Sequence, residues 1–303
     1  GHEPVLIERT PTPRSGGYIV DFWGAGYDIV EKMGVLPRLL DRGYEVGEVR
    51  VVDANGRRSG GFPTDVFTRM TGGRFTSLQR SDLAATIYAA IEAKVETIFG
   101  DGIASIGEAA DRVHVGFDHA APRDFDLVVG ADGLHSHVRS LAFGEEAQFE
   151  RFLGYNVAAF ELTGYRPRDD LAYVSHALAG RQLSRFSKRD DRTLFLFCWR
   201  EREPAPLPSD DASRRAALRR EFAGMKWEAP AILAALDGVD DIYFDRVSQI
   251  EMPRWTKGRV ALIGDAAACV SLLGGEGSSL AITEAYVLAG EIARAGDDHA
   301  AAF

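Results

Sequence analysis

An α/β domain interrupted by a largely antiparallel sheet is the fold class that this sequence predicts, and three observations carry the prediction. Short apolar runs near the two ends, PVLIE from residue 4 and GRVALIGD from residue 258, read as buried strands of the parallel type. Segments of helical period, punctuated by glycine, follow both runs. Between them, from about residue 151, the period changes to two in four long neighbours, LGYNVAAFELTG, LAYVSHALAG, RQLSRFSK and TLFLFCWRE. With 303 residues, 46% of them hydrophobic and 26% charged, the chain has the balance of a globular protein that buries a sizeable core.

In order along the chain, PVLIE ends in Glu8, the pattern of the second strand of a dinucleotide-binding βαβ unit whose carboxylate accepts hydrogen bonds from a ribose. The first strand and glycine-rich turn of such a unit are expected upstream of Gly1, as the part of a longer protein. GAGYDIVEKMGVLPRLLDRG reads as two short amphipathic helices separated at Gly34 and closed at Gly43. EVRVVDANGRRSGGF is a strand, an Asn55-Gly56 turn and a second strand. FTSLQ is extended, and Ser81 is the expected N-cap of the helix DLAATIYAAIEAK. VETIFG, GIASIGEA and DRVHVGF are short strands, followed by the apolar strand in DFDLVVGADGLHSHVR, which stops at Asp132-Gly133. After the four long alternating runs, Asp210 or Asp211 is placed to cap a helix through about residue 224, and a second helix is expected from residue 229 to 236. A long closing helix is expected from about Gly277 to Ala295. The expected division is residues 1–150 and 246–303 for the α/β part, with 45–77 contributing to the inserted domain, and 151–245 for the inserted sheet and its helices.

The formal charge, 35 basic against 45 acidic residues or −10, disfavours nonspecific attraction to nucleic acid or to an anionic membrane. Cys198 and Cys269 have neither a disulfide framework nor metal-ligand spacing, which favours a reducing cytoplasm. His135 and His137 lack a Cys or carboxylate at metal spacing, so no metal is expected. The most apolar stretch contains Asp265 and several glycines and does not read as a membrane span.

Two segments carry the chemistry. In GRVALIGDAAACVSLLGGEG an apolar strand delivers Asp265 at its carboxyl end, and Gly274, Gly275 and Gly277 precede a helix N-terminus suited to anionic or electron-rich groups. In DLVVGADGLHSHVR, Asp132 and Gly133 end a strand, Ser136 is placed to anchor the next helix, and Arg139 follows one turn on. Alternation in TLFLFCW puts Phe195, Phe197 and Trp199 on one face and Leu194, Leu196 and Cys198 on the other; the aromatic stripe is the candidate substrate wall, with ordinary core as the competing reading.

The ordered set VLIER, LQRSDL, VVGADGLHSHVR and ALIGDAAA…GGEG resembles the FAD-dependent class A flavoprotein monooxygenases of the p-hydroxybenzoate hydroxylase fold. The resemblance implies an FAD-binding Rossmann-like domain with an inserted antiparallel-sheet substrate domain. By resemblance, Glu8, with Arg9 beside it, holds the adenosine ribose, Arg80 the ribose or pyrophosphate side, and Asp265 with Gly264 the pyrophosphate-ribitol region. Asp132, Gly133 and Arg139 lie in a motif tied to both FAD and NAD(P)H, and Arg14, Gly16 and Gly17 in a loop near the flavin. The implied reaction is hydroxylation of an aromatic or polyketide-like molecule by O2, with NADPH or NADH reducing the flavin and a C4a-hydroperoxide delivering oxygen. No side chain is then required as a general base, because the cofactor carries the difficult step. Ala268, Ser271 and Leu272 stand where many relatives have His and prolines, marking a distinct subgroup. A prenyl-type double-bond reductase on the same scaffold, and a ligand-binding relative that has lost FAD, are the alternatives; a halogenase is disfavoured because no WxWxIP segment occurs.

Overall fold

The computed structural model describes residues 2–13, 17–296 and 298–303. The first half contains β1 (Val5–Glu8), β2 (Ile19–Trp23), α1 (Gly24–Lys32), α2 (Leu36–Arg42), β3 (Glu48–Val52), β4 (Arg58–Pro63), α3 (Asp65–Met70), β5 (Phe75–Gln79) and α4 (Arg80–Tyr88). Then follow β6 (Glu96–Phe99), β7 (Ile103–Glu108), β8 (Val113–Phe117), β9 (Arg123–Phe125), β10 (Val128–Gly130) and α5 (His137–Ala142). The second half holds β11 (Glu150–Thr163), β12 (Ala172–Leu178), β13 (Arg181–Ser187), β14 (Arg192–Arg200), α6 (Asp211–Glu221), α7 (Ala229–Ala235) and β15 (Tyr243–Ile250). It closes with β16 (Thr256–Lys257), β17 (Val260–Leu262), α8 (Asp265–Ala268), α9 (Gly277–Ala295) and α10 (His299–Ala302).

The apolar runs at the two ends do form parallel strands: β1 pairs with β6 and β10 with β17. Ile7 of β1 packs with Val128, Val138, Val260 and Leu262, so both pairs share one core with α5 and α8. A second core joins β2 and β5, through Val20, Phe22 and Leu78, to α1, α2 and α4. Helices α1 and α9 approach closely at Gly26, where a Cβ would lie 2.6 Å from Ser279 Oγ; that hydroxyl accepts from Gly26 N and donates to Trp23 O.

The large sheet has the order β15-β11-β14-β13-β12-β3-β4. Its long strands are antiparallel, except that β12 runs parallel to β3, which joins a strand from the first half of the chain to the later strands. Helices α6 and α7 cover one face. Asp210 caps α6 by accepting from Ser213 N at 2.8 Å, and the Ser213 hydroxyl faces the N-cap backbone in return.

Three expectations change. The helix after FTSLQ starts at Arg80 with Gln79 as N-cap, so Ser81 lies in its first turn, and it ends at Tyr88 because the following residues tighten into turns such as Ile91 N to Tyr88 O. β2 and β15, both alternating, are strands where the sequence reading placed none. Helix α3 is likewise added.

Candidate active site

Glu8, Asp132 and Asp265 all sit at or just beyond the carboxyl ends of parallel strands, where open α/β sheets bind their ligands. Each local sequence explains its placement. Glu8 Oε1 accepts from both Thr10 N and Thr10 Oγ1 at 2.9 Å, which turns the chain away from β1 and leaves Oε2 without a partner among the described residues. After β17, Gly264 takes φ 61°, and a Cβ there would meet Ala281 of α9 at 3.1 Å. Its N–H donates to Glu284 Oε2 at 2.5 Å, so α9 holds the turn that presents Asp265. Gly277, first residue of α9, faces Asp265: a Cβ on it would lie 3.4 Å from Oδ1.

Arg80 and Tyr18 stand across from Asp265. Arg80 opens α4, its N–H donates to Tyr18 O at 3.2 Å, and its guanidinium lies 5.9 Å from the Tyr18 ring centre. Burial pushes the Tyr18 phenol up, with Arg80 opposing and Asp265 adding to the rise. Gly17, at φ 94°, approaches Arg80 Cβ. Cys269 closes this corner, its thiol pushed up to about 11 by burial first and by Asp265 second.

The loop after β10 is tied internally. The Asp132 carboxylate accepts from Ser136 Oγ and from the N–H groups of His137 and Val138, and Ser136 Oγ accepts from Arg139 N at 2.9 Å. Arg139 is fully buried and donates to Ala266 O, Leu134 O and Glu146 Oε2 at 3.0, 2.6 and 2.9 Å. Its guanidinium therefore joins this loop to α8, a packing role that the motif alone did not indicate. Gly133, at φ 85°, leaves open space beside the turn.

The opposite wall comes from the large sheet. Phe195, Phe197 and Trp199 point away from it: they are buried with Phe160, Leu218, Phe222 and Ile232 beneath α6 and α7. The aromatic stripe is core, because the apolar sides of α6 and α7, through Leu218, Phe222 and Ile232, cover that face; the substrate-wall expectation for these three residues is corrected. The face toward the nucleotide side carries Leu194, Leu196 and Cys198 of β14, Ser184 and Phe186 of β13, Tyr173 of β12, and Tyr243 and Asp245 of β15. Tyr243 meets Tyr18 with ring centres 6.0 Å apart, and Phe186 meets Tyr44 at 5.5 Å. Asp21, on β2, reaches the same space; burial holds its carboxyl above the usual range, and its charge further raises the enclosed Tyr173 phenol. A cavity of about 200 Å³ opens beside Gly17, Glu161, Arg192 and Tyr243.

Of the other expected residues, Arg9 runs alongside Gly102 and Asp118, while Gly274 and Gly275 form the exposed turn into α9. Arg14 and Gly16 lie outside the described residues. The sequence reading missed Asp21, Tyr243, Asp245 and Glu284. The alternation of YIVDFW and YFDRVSQI was the available signal for the first three; Glu284 carries none, since only the fold brings it to Gly264.

Parallel strands whose carboxyl ends open on a cleft, closed by a large sheet, define the class of nucleotide-binding α/β proteins with an added sheet. The family described as FAD binding domain matches residues 29–302. An uncharacterised protein of Mycobacterium tuberculosis is 37% identical over 310 residues, covering 100% of this chain and 82% of its own. A flavin-dependent monooxygenase of Legionella longbeachae is 30% identical over 313 residues, covering 100% and 77%. The crystal structure of tetracycline destructase Tet(51) matches with a TM-score of 0.88 at 31% identity, covering 100% of this chain and 78% of that one. Klebsiella pneumoniae HpxO with FAD and uric acid, at 23% identity and a TM-score of 0.75, shares the fold. The chain belongs to the FAD-dependent class A flavoprotein monooxygenases and is an oxidoreductase of that kind. The cleft fits FAD: Glu8 keeps one carboxylate oxygen without a partner among the described residues at a strand end, and Gly133 leaves open space at the turn after Asp132. Among the described residues no helix is long and apolar enough to cross a membrane.

Proposed function

We propose that this monooxygenase uses NADPH or NADH and O2 to hydroxylate an aromatic or polyketide-like polycyclic molecule, held between the uncovered face of the large sheet and the nucleotide cleft. One observation carries the reading. In the middle of a seven-stranded sheet, where side chains ordinarily pack out all space, Leu196, Cys198 and Gln182 remain only half-buried. The face they border joins an apolar wall, Leu194, Leu196, Cys198 and Phe186, to a few polar groups, Gln182, Tyr173, Tyr243, Asp245 and Asp21, the composition of a small-molecule site.

Bound FAD supplies hydride acceptance and oxygen activation. The chain's own residues bind and orient: Glu8 takes the ribose, Arg80 and Asp265 flank the pyrophosphate-ribitol region, and the Asp132-Gly133 turn offers backbone to a nucleotide. Leu194, Leu196 and Phe186 exclude water from the reacting face. Asp21, whose carboxyl holds its proton to higher pH than a free one, is placed to hydrogen-bond a substrate hydroxyl. In this reading residues 1–150 and 246–303 form the FAD-binding part, 45–77 and 151–245 the substrate part, and the cytoplasm supplies the reducing cofactor.

The test is a panel of phenols and polycyclic aromatics, tetracyclines included because the similar Tet(51) is a tetracycline destructase. The expected result is stimulated NAD(P)H oxidation with a product heavier by one oxygen atom. Oxidation yielding only hydrogen peroxide for every compound, or a double-bond reduction without O2 uptake, would overturn the proposal.

A further inference from the structure

His135 lies in the loop between β10 and α5, and both its ring nitrogens meet carboxylates. Nδ1 is 2.9 Å from Glu146 Oε1, and Nε2 is 3.0 Å from Asp245 Oδ1. A neutral imidazole has one N–H and one lone pair, so it satisfies one ionised carboxylate and repels the other; only the imidazolium donates to both. The two carboxylates come from different parts of the fold. Glu146, in the short 3-10 turn Glu146–Gln148, belongs to the nucleotide side and also accepts from buried Arg139. Asp245 belongs to β15, the edge strand of the large sheet, and its side chain is 11% exposed.

Asp245 passes this contact on. Its Oδ2 accepts from Tyr243 OH at 3.3 Å, and the Tyr243 ring meets Tyr18, which lies under Arg80. We propose that His135 is a positioning residue: as a cation clamped between Glu146 and Asp245, it sets the spacing between the Asp132–Arg139 loop and β15, and through Tyr243 and Tyr18 the width of the flavin cleft at Arg80. The inference rests on the placing of Tyr18 and Tyr243 in that cleft, and its test separates from the test of hydroxylation because it needs neither substrate nor turnover.

The groups that face this cation are Glu146, with Arg139 behind it, from the nucleotide side, and Asp245, with Tyr243 behind it, from β15; Arg246 gives Asp245 only its backbone N–H and pairs its side chain with Glu150. The partners raise His135 from the ordinary histidine range to about 9, Asp245 contributing most. A group raised in the folded state contributes stability that is fully present below its unfolded value, about 6.5, and lost as pH rises through about 9.

The experiment compares wild type with His135→Gln, His135→Arg and Asp245→Asn in the full-length protein, by melting temperature without FAD from pH 6 to 10 and by FAD titration. His135→Gln is expected to melt roughly 2–4 °C lower at pH 6, with the gap closing above about pH 9.5, and to bind FAD severalfold more weakly at pH 7. His135→Arg, a permanent two-pronged cation, is expected to keep its melting temperature and FAD affinity through pH 10. His135→Gln and Asp245→Asn combined are expected to cost no more FAD affinity than the larger single change. A pH-independent gap, additive losses in the double variant, or unchanged FAD affinity in His135→Gln would overturn the proposal. If the Gln variant does not fold, wild type alone still decides: its FAD dissociation constant must rise as pH passes about 9, and a flat profile refutes the clamp.

Discussion

The two faces of the large sheet have similar strands and opposite fates. On one, Phe160 stacks on Phe197, and Phe197 and Trp199 meet Phe222, at ring separations of 4.8 to 5.8 Å, in a core sealed by α6 and α7. On the other, smaller and mixed side chains, Leu196, Cys198, Ser184, Tyr173 and Asp245, look across a gap to Tyr18 and Asp21. Large apolar groups are spent where helices seal them. The working face is built from residues that leave room, and its polarity is concentrated in a few groups whose titration burial distorts.

Three substitutions sharpen that contrast. The largest effect is expected from Phe197→Ala on the sealed face. Emptying a fully buried aromatic site costs roughly 3–5 kcal/mol, and a denaturant melt reads it directly. Catalytic selectivity among substrates that still turn over is expected to stay constant, and a changed preference would mean the two faces are not separate. Next comes Asp265→Ala, at the strand end below the open face. Losing a charge-assisted hydrogen bond is expected to weaken FAD by about 1.5–3 kcal/mol, roughly one to two orders of magnitude in dissociation constant, with little change in the apoprotein melt. An unchanged flavin titration removes Asp265 from the site. The smallest stability effect belongs to Cys198→Leu, which adds volume toward the gap where Phe197 points away from it. Melting is expected to move within about 0.5 kcal/mol, while KM for a bulky substrate rises severalfold and kcat for a small one is kept. A loss of several kcal/mol there would show that the gap is packed after all.

Much of the fold was legible in residues alone. The strand-to-turn changes of period at VLIE, VVG and VAL, the Asn55-Gly56 hairpin, the Asp210 cap and the span of α9 all follow from local patterns, and local patterns are where physics acts at short range. The candidate site was half legible. Glu8, Arg80, Asp132 and Asp265 announce themselves at strand and helix ends, whereas Phe195, Phe197 and Trp199 were assigned to the wrong side. Alternation separates the two faces of a strand without saying which one helices will cover, and that choice is made by how α6 and α7 fold back onto the sheet. For Arg139 the motif position was visible but the burial was not, because that depends on Ala266, 127 residues further along the chain. Tyr243 and Asp245 were lost with β15, whose short alternation includes Asp245 and Arg246 side by side and so falls below a clear strand signal.

The parallel pairing of β12 with β3 has a consequence for how the chain is made. As synthesis proceeds from the N-terminus, the β3–β4 hairpin emerges early, and the edge it offers to β12 stays bare until β11 and β12 follow. β10 waits longer still, because its partner β17 comes after the whole large sheet. Neither layer is finished before the other is under way, and unsatisfied strand edges of this kind invite pairing with neighbouring chains. Assembly is thus a late, concerted event of high contact order, slow by nature. In a cell it places a premium on chaperones that shield those edges until Val260–Leu262 leaves the ribosome and closes the nucleotide side.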